Sequence, residues 1–185
     1  MAKKTRKRIE NRTFTDVGAR DIYFRNFSGI NRNKPGQRIK PKFGIKLSEE
    51  LAEIMTQEGW YIRWTKVRED APEGTQPIPY LEVTLKYDFK PAPTVNMIFG
   101  KRDVTPLTEE SIAPLDGVSI DHMDFEVRAF DWDDSGRYGA AAELVGLNVY
   151  CKRSLIEERL AKFMEEDGEY EDEEGEYIVR SDKKR

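Results

Sequence analysis

The sequence predicts a mainly β protein: a small antiparallel barrel with one helix between its early strands, a C-terminal helix and disordered charged ends. Three observations carry this expectation. Apolar and polar residues alternate with a period of two in several central segments. One segment near residue 50 has both the start and the stop signals of a helix. Charged residues make up 36% of the 185, against the usual ~25%, and they concentrate at the ends. Residues 1–46 hold 14 Lys or Arg against 3 Asp or Glu, and residues 165–176 hold 9 acids and no base. The overall charge of −4 therefore hides a basic front and an acidic back. A basic surface draws polyanions, and an acidic tail can compete for it.

Residues 1–12 read as a flexible basic arm, with no apolar stretch that would make it a secretory signal. Arg20–Phe27 reads as a strand, with Ile22 and Phe24 on one face and Tyr23, Arg25 and Phe27 on the other. Ser28–Gln37 holds Gly29, Asn31, Asn33, Pro35 and Gly36, so it reads as a loop, and it carries Arg32 and Lys34. The clearest alternation follows. Ile39, Phe43, Ile45 and Leu47 share one parity and are expected in the core; Arg38, Lys40, Lys42 and Lys46 share the other and are expected outside. Pro41 has no N–H for a ladder, which predicts an edge or a bulge there.

Ser48 can cap a helix through Ala52, Met55 and Gln57, with Glu49 and Glu50 in its first turn and Gly59 at its end. Trp60–Arg68 reads as a strand with Trp60, Ile62 and Trp64 inward and Tyr61, Arg63 and Thr65 outward. A loop over 69–79 precedes a strand at Tyr80–Phe89, with Leu81, Val83, Leu85 and Tyr87 inward and Tyr80, Glu82, Thr84 and Lys86 outward. Pro91 and Pro93 interrupt before a short strand at Thr94–Phe99. Thr108–Ser111 reads as a helical turn that stops before Pro114. Ile120–Trp132 and Tyr138–Lys152 read as two long antiparallel strands joined by Asp133-Asp134-Ser135-Gly136. A last helix is expected over Ser154–Met164, and an acidic, disordered tail over 165–185. These strands fit a closed or nearly closed barrel of OB-fold type over residues 13–152, since that fold offers a strand face to single strands. Another small β-sandwich fits the pattern equally.

The outward sets mix rings with cations: Tyr23, Arg25, Phe27, Arg38, Lys40, Lys42, Lys46, Tyr61, Arg63, Tyr80 and Lys86. Single-stranded nucleic acid needs this mixture, because cations follow phosphates and flat rings stack on unpaired bases. Catalytic readings are thin. His122 is the only histidine and Cys151 the only cysteine, so there is no multi-histidine metal site, no zinc thiolate pair and no intrachain disulfide. A single thiol fits a reducing, cytoplasmic setting. Asp131-Trp132-Asp133-Asp134-Ser135-Gly136 has the rhythm of a calcium loop, but Ala142 stands where a bidentate Glu is needed. A carboxylate-metal nuclease would have to draw on Asp121, Asp124, Glu126 and Asp131, which also read as a solvated strand face. No cofactor is expected, and no apolar run is long enough for a membrane helix.

Several stretches resemble, in order, a family of tailed-bacteriophage single-stranded DNA-binding proteins. They are Phe24-Arg25-Asn26-Phe27-Ser28-Gly29, Glu58-Gly59-Trp60, Tyr80-Leu81-Glu82-Val83, and Val127-Arg128-Ala129-Phe130-Asp131-Trp132 ahead of Gly136, and together they span roughly Arg20 to Tyr150. The resemblance implies an OB-fold, sequence-tolerant binding of single-stranded DNA in replication or recombination, and an acidic tail that contacts replication proteins. The tail residues concerned would be Glu171, Asp172, Glu173, Glu174 and Tyr177. This chain departs from the pattern after Val179, where Arg180, Lys183, Lys184 and Arg185 follow the acids. A phage assembly protein with a β-sandwich domain is the alternative from another class; oligomeric state is open.

Overall fold

The computed structural model describes residues 8–134 and 137–154 and the single positions 157, 159 and 162. Residues 1–152 form one unit and 153–185 a second. The strands are β1 (Arg12–Gly18), β2 (Ile22–Asn26), β3 (Lys42–Lys46), β4 (Arg63–Trp64), β5 (Pro79–Thr84), β6 (Thr94–Phe99), β7 (Asp103–Leu107), β8 (Ile120–Asp134) and β9 (Arg137–Cys151). One helix, α1 (Glu49–Glu58), lies between β3 and β4, and 3-10 turns occupy Ala19–Asp21 and Ala113–Asp116.

The expected barrel is not what forms. Nine strands make one mixed sheet in the order β1-β8-β9-β5-β3-β2, with β4 added to β5, β6 to β9 and β7 to β6. β1 and β2 end the path without pairing with each other among the described residues. The sheet is not wholly antiparallel either, because β5 and β6 both run parallel to β9. These two strands lie in series along one edge. Val83 and Thr84 face Ala142 and Glu143, and Thr94–Phe99 face Gly146–Cys151, with residues 85–93 looped out between them. Alternation tells which face a residue takes; it does not tell which strand lies beside which, so closure was never encoded in the pattern that predicted it.

The helix forms where the sequence places it. The Ser48 Oγ accepts a hydrogen bond from the Leu51 N–H at 3.2 Å, and Gly59 closes the helix at φ +103°, donating to the carbonyls of Met55 and Thr56. Ala52 and Met55 are its buried positions. The long hairpin is also where it was expected, paired from Ile120↔Cys151 to Asp134↔Arg137. Ser135 and Gly136 of its turn lie outside the described residues.

The core is threaded by rings. Phe27 and Phe43 lie 5.4 Å apart between centroids, Phe43 meets Phe125 edge-on at 5.3 Å, and Phe14 stacks on Phe125 at 5.0 Å. Phe43, Ile45, Leu47, Leu81, Val83 and Leu85 are all buried, as the alternation requires. Other inward assignments fail. Ile39 is 41% exposed and Trp64 51% exposed, while Thr84, assigned outward, is buried. The strand expected over Trp60–Arg68 shrinks to two residues, because only Arg63 and Trp64 find a partner in β5.

Two strands had no signal strong enough to find them. β1 has Thr13, Thr15 and Asp16 exposed and a register shift between Phe14 and Val17, with Asp16 at φ +54°. β7 contains Pro106 and buries only Leu107, as an edge strand can. Arg12, which reads as part of the mobile arm, instead opens β1 and places one Nη 2.8 Å from both carboxylate oxygens of Glu58. The turn expected at Thr108–Ser111 forms, closed by the Ser111 N–H on the Thr108 carbonyl at 3.1 Å, and a separate 3-10 turn follows at Ala113–Asp116, with Pro114 in its first turn, where no N–H is needed. In the second unit, the Ser154 N–H donates to Glu157 Oε2 at 2.9 Å and the Glu157 N–H to Ser154 Oγ at 3.2 Å. This reciprocal pair is the start signal of a helix. Most of the helix expected over Ser154–Met164, and the whole of the 165–185 tail, lie outside the described residues.

Candidate nucleic-acid interface

Strands β2, β3, β5 and β4 are consecutive neighbours, and their register builds one outer face. Tyr23 sits opposite Gly44, and Gly44 opposite Glu82. Lys46 sits opposite Tyr80, and Tyr80 opposite Arg63. Residues two apart on a strand share a face, so Lys42 joins Gly44 and Lys46 while Phe43 and Ile45 turn into the core. Three rings gather there: Tyr23 and Tyr80 at 6.5 Å, Phe24 and Tyr80 at 5.5 Å, Tyr23 and Phe24 at 6.1 Å. Gly44 leaves room for them; a Cβ at that position would stand 3.2 Å from the Tyr80 ring. Beside the cluster runs a groove lined by Phe24, Tyr61, Arg63, Trp64, Lys66 and Arg68, among others.

One carboxylate organises the cations. Glu82 Oε2 accepts from Lys42 Nζ at 3.0 Å and from Arg63 Nη1 at 2.8 Å. Burial pulls the Arg63 pKa down, but the charge of Glu82 and a side-chain hydrogen bond with Tyr61 outweigh it, so the guanidinium is held above its ordinary value. Its carbon also lies 5.9 Å from the Tyr61 ring centre. Arg63 is thus fixed by a ring and an acid, charged and half-exposed.

Five of the residues assigned to this face by the sequence are elsewhere: Arg25, Phe27, Lys86, Arg38 and Lys40. Phe27 is fully buried. Arg25 donates to the main-chain carbonyls of Val118 at 3.1 Å and Asp116 at 3.0 Å. The cause is a bulge: between Tyr23↔Gly44 and Asn26↔Lys42 β2 advances three residues while β3 advances two. The extra residue flips the parity of everything after it, so Phe27 turns inward. The stretch Phe24-Arg25-Asn26-Phe27-Ser28-Gly29 is consequently in large part a structural corner. Asp116 accepts from the N–H groups of Phe27 at 2.6 Å and Ser28 at 3.3 Å and from the Ser28 hydroxyl, and Asn26 Oδ1 accepts from the Gly29 N–H at 2.8 Å. The third displaced residue is Lys86. It pairs with the buried carboxylate of Glu143, which also accepts from Arg128 Nε at 3.1 Å, and its ammonium sits 4.0 Å from the centre of the Phe130 ring.

Arg32, Lys34, Arg38 and Lys40 are exposed, but on the segment before β3 rather than on its outer face, since β3 begins only at Lys42. That segment is held by an Ile30↔Arg38 bridge and by the Ile39 N–H on the Gly29 carbonyl at 2.8 Å. Arg38 reaches Glu109 at 3.4 Å with both side chains largely in water, a pair worth ~0–1 kcal/mol. Phe24, Trp64, Lys66 and Arg68 were missed. Period two put Phe24 and Trp64 inward, and nothing local to either residue marks the bulge or the early end of β4. Lys66 and Arg68 were readable as cations beside the aromatic run. The tail residues Glu171, Asp172, Glu173, Glu174 and Tyr177 lie outside the described residues.

Asp121, Asp124 and Glu126 of the strand carboxylates have structural partners. Asp124 accepts from the Asp16 N–H at 2.7 Å, Glu126 from Asn11 at 2.8 Å, and Asp121 from His122 Nδ1 at 2.9 Å. The His122 hydrogen bond and the nearby Lys152 hold the Asp121 carboxyl below its usual range. His122 stacks on Tyr150 at 4.2 Å. Among the described residues no cluster of three or more His, Cys, Asp or Glu is placed to hold a metal, and no helix is long and apolar enough to cross a membrane.

A family model described as "Putative phage ssDNA-binding domain" matches residues 1–182. A search of curated proteins finds no match. The match covers nearly the whole chain, and the chain belongs to this phage single-stranded DNA-binding family.

Proposed function

We propose that this member of the family binds single-stranded DNA on the outer face of β2, β3, β5 and β4, without strong sequence preference and without catalysis. The observation that carries the reading is the meeting of Tyr23, Phe24, Tyr61, Trp64 and Tyr80 with Lys42, Lys46 and Arg63 around one face and its groove. Rings offer stacking to any base, and the cations offer charge to any phosphate. Duplex DNA hides its bases and would leave the rings idle. Arg32, Lys34, Arg38 and Lys40, together with the basic residues 3–8, extend the positive field along the strand. The biological setting is the replication or recombination of phage DNA in the host cytoplasm, with replication proteins as partners of the acidic tail.

The test is a salt titration of a labelled oligonucleotide. We expect the logarithm of the binding constant to fall with the logarithm of salt by about 0.7 per phosphate neutralised. A flat response, or tighter binding to the matching duplex, would contradict the assignment. For the tail, the 9 acids between 165 and 176 supply a tethered polyanion, which acts at roughly millimolar effective concentration. Removing residues 165–185 is expected to tighten binding several-fold at low salt. Equal affinity of the full and shortened chains would rule out competition by the tail.

A further inference from the structure

The residue most out of place in the fold is Phe24. It has φ +50°, in the left-handed region, and its side chain is 64% exposed. Bulky residues seldom take this conformation, and the residue that occupies it in a β-bulge is ordinarily glycine. Folding gains little from the ring, because two-thirds of it stays in water. A glycine or an asparagine would make the same bulge with less strain. Strained backbone of this kind clusters at active sites and ligand clamps.

The surroundings point to what that ligand is. The ring stands at one end of the Tyr23–Tyr80 cluster, 5.5 Å from Tyr80, and it lines the groove that also holds Trp64 and Arg63. Trp64 is the other strongly exposed ring there, at 51%. Arg63 supplies a fixed cation between strands for the phosphate of the nucleotide concerned. We infer that the β2 bulge exists to present Phe24 as the stacking platform for an unpaired base, so that this site is built against the stability of the fold. The inference rests on the reading of this face as the single-strand site and goes beyond it by naming the ring and the backbone device that presents it.

Phe24→Asn separates the two. Asparagine tolerates the left-handed region, so thermal unfolding is expected at an unchanged or higher temperature, with an upward shift of up to about 4 °C. Affinity for a single-stranded oligonucleotide should fall about tenfold, the loss of one stacked base. The salt slope should stay the same, because no phosphate contact is removed. Phe24→Trp should restore the affinity. If the unaltered protein binds the oligonucleotide and Phe24→Asn binds equally well, Phe24 is not the platform. If Phe24→Asn both unfolds earlier and binds worse, the ring is structural and the inference is overturned. If the unaltered protein itself fails to bind single strands, the functional reading of the whole face is overturned instead.

Discussion

Replacing Lys42, Lys46 and Arg63 together with alanine is expected to weaken oligonucleotide binding about 100-fold at 50 mM salt, and to make the salt dependence shallower by about 2 units of slope, three phosphates at ~0.7 each. The three cations share the outer face of adjacent strands, so one strand of DNA can meet all of them. Glu82 works in the opposite direction. Its carboxylate already pairs with Lys42 and Arg63 and would compete with a phosphate for both. Glu82→Gln should therefore tighten binding several-fold and steepen the slope by about 0.7. The folding cost of that change is small, since half-exposed ion pairs are worth ~0–1 kcal/mol each. Opposite effects of neighbouring substitutions are a demanding signature. An unchanged slope in the triple variant would mean that phosphates do not lie on these strands.

The second large effect is on folding. Asp116→Ala is expected to destabilise the protein by about 3 kcal/mol, because three donors lose their charged acceptor at once. In a domain of this size that lowers the unfolding temperature by about 6–12 °C. The donors are the N–H groups of Phe27 and Ser28 and the Ser28 hydroxyl, and they anchor the end of β2 to the turn at Ala113–Asp116. Gly29→Ala strikes the same corner from the other side. Gly29 has φ +70°, and a Cβ there would come 2.5 Å from the backbone carbonyl of Ile39. Neither partner can yield, and the loss should be of similar size. Both variants are expected to bind single strands normally in their folded fraction, as judged by active-site titration below the transition. Impaired binding by fully folded protein would return this corner to the DNA site.

The corner shows how a motif can be legible and misread. Arg25 and Phe27 stand out in the sequence because they alternate with Tyr23, and alternation is a sound guide until one residue is added to a strand. The bulge at Phe24 adds it, and the assignments of Arg25 and Phe27 fail together. Lys86 fails for a different reason. It lies on the loop just beyond β5, where the sheet partner is β9, and the buried Glu143 claims its charge. Glu143 is 57 residues away in the chain, beyond the reach of any local pattern. By contrast, Ser48, the acids after it and Gly59 define α1 to the residue, because caps and a left-handed terminus are local chemistry.

What the sequence determined by itself was the β character, the helix α1, the β8–β9 hairpin, the inward run Phe43, Ile45, Leu81 and Val83, and the presence of rings among cations. Each follows from contacts between residues close in the chain or from a period of two. The tertiary structure alone decided that the sheet stays open and mixed, that Phe24 and Trp64 face solvent while Phe27 does not, and that Glu82 pairs with Lys42 and Arg63. Those outcomes depend on strand partners and on a single added residue, and the energies that choose them come from side chains far apart in sequence.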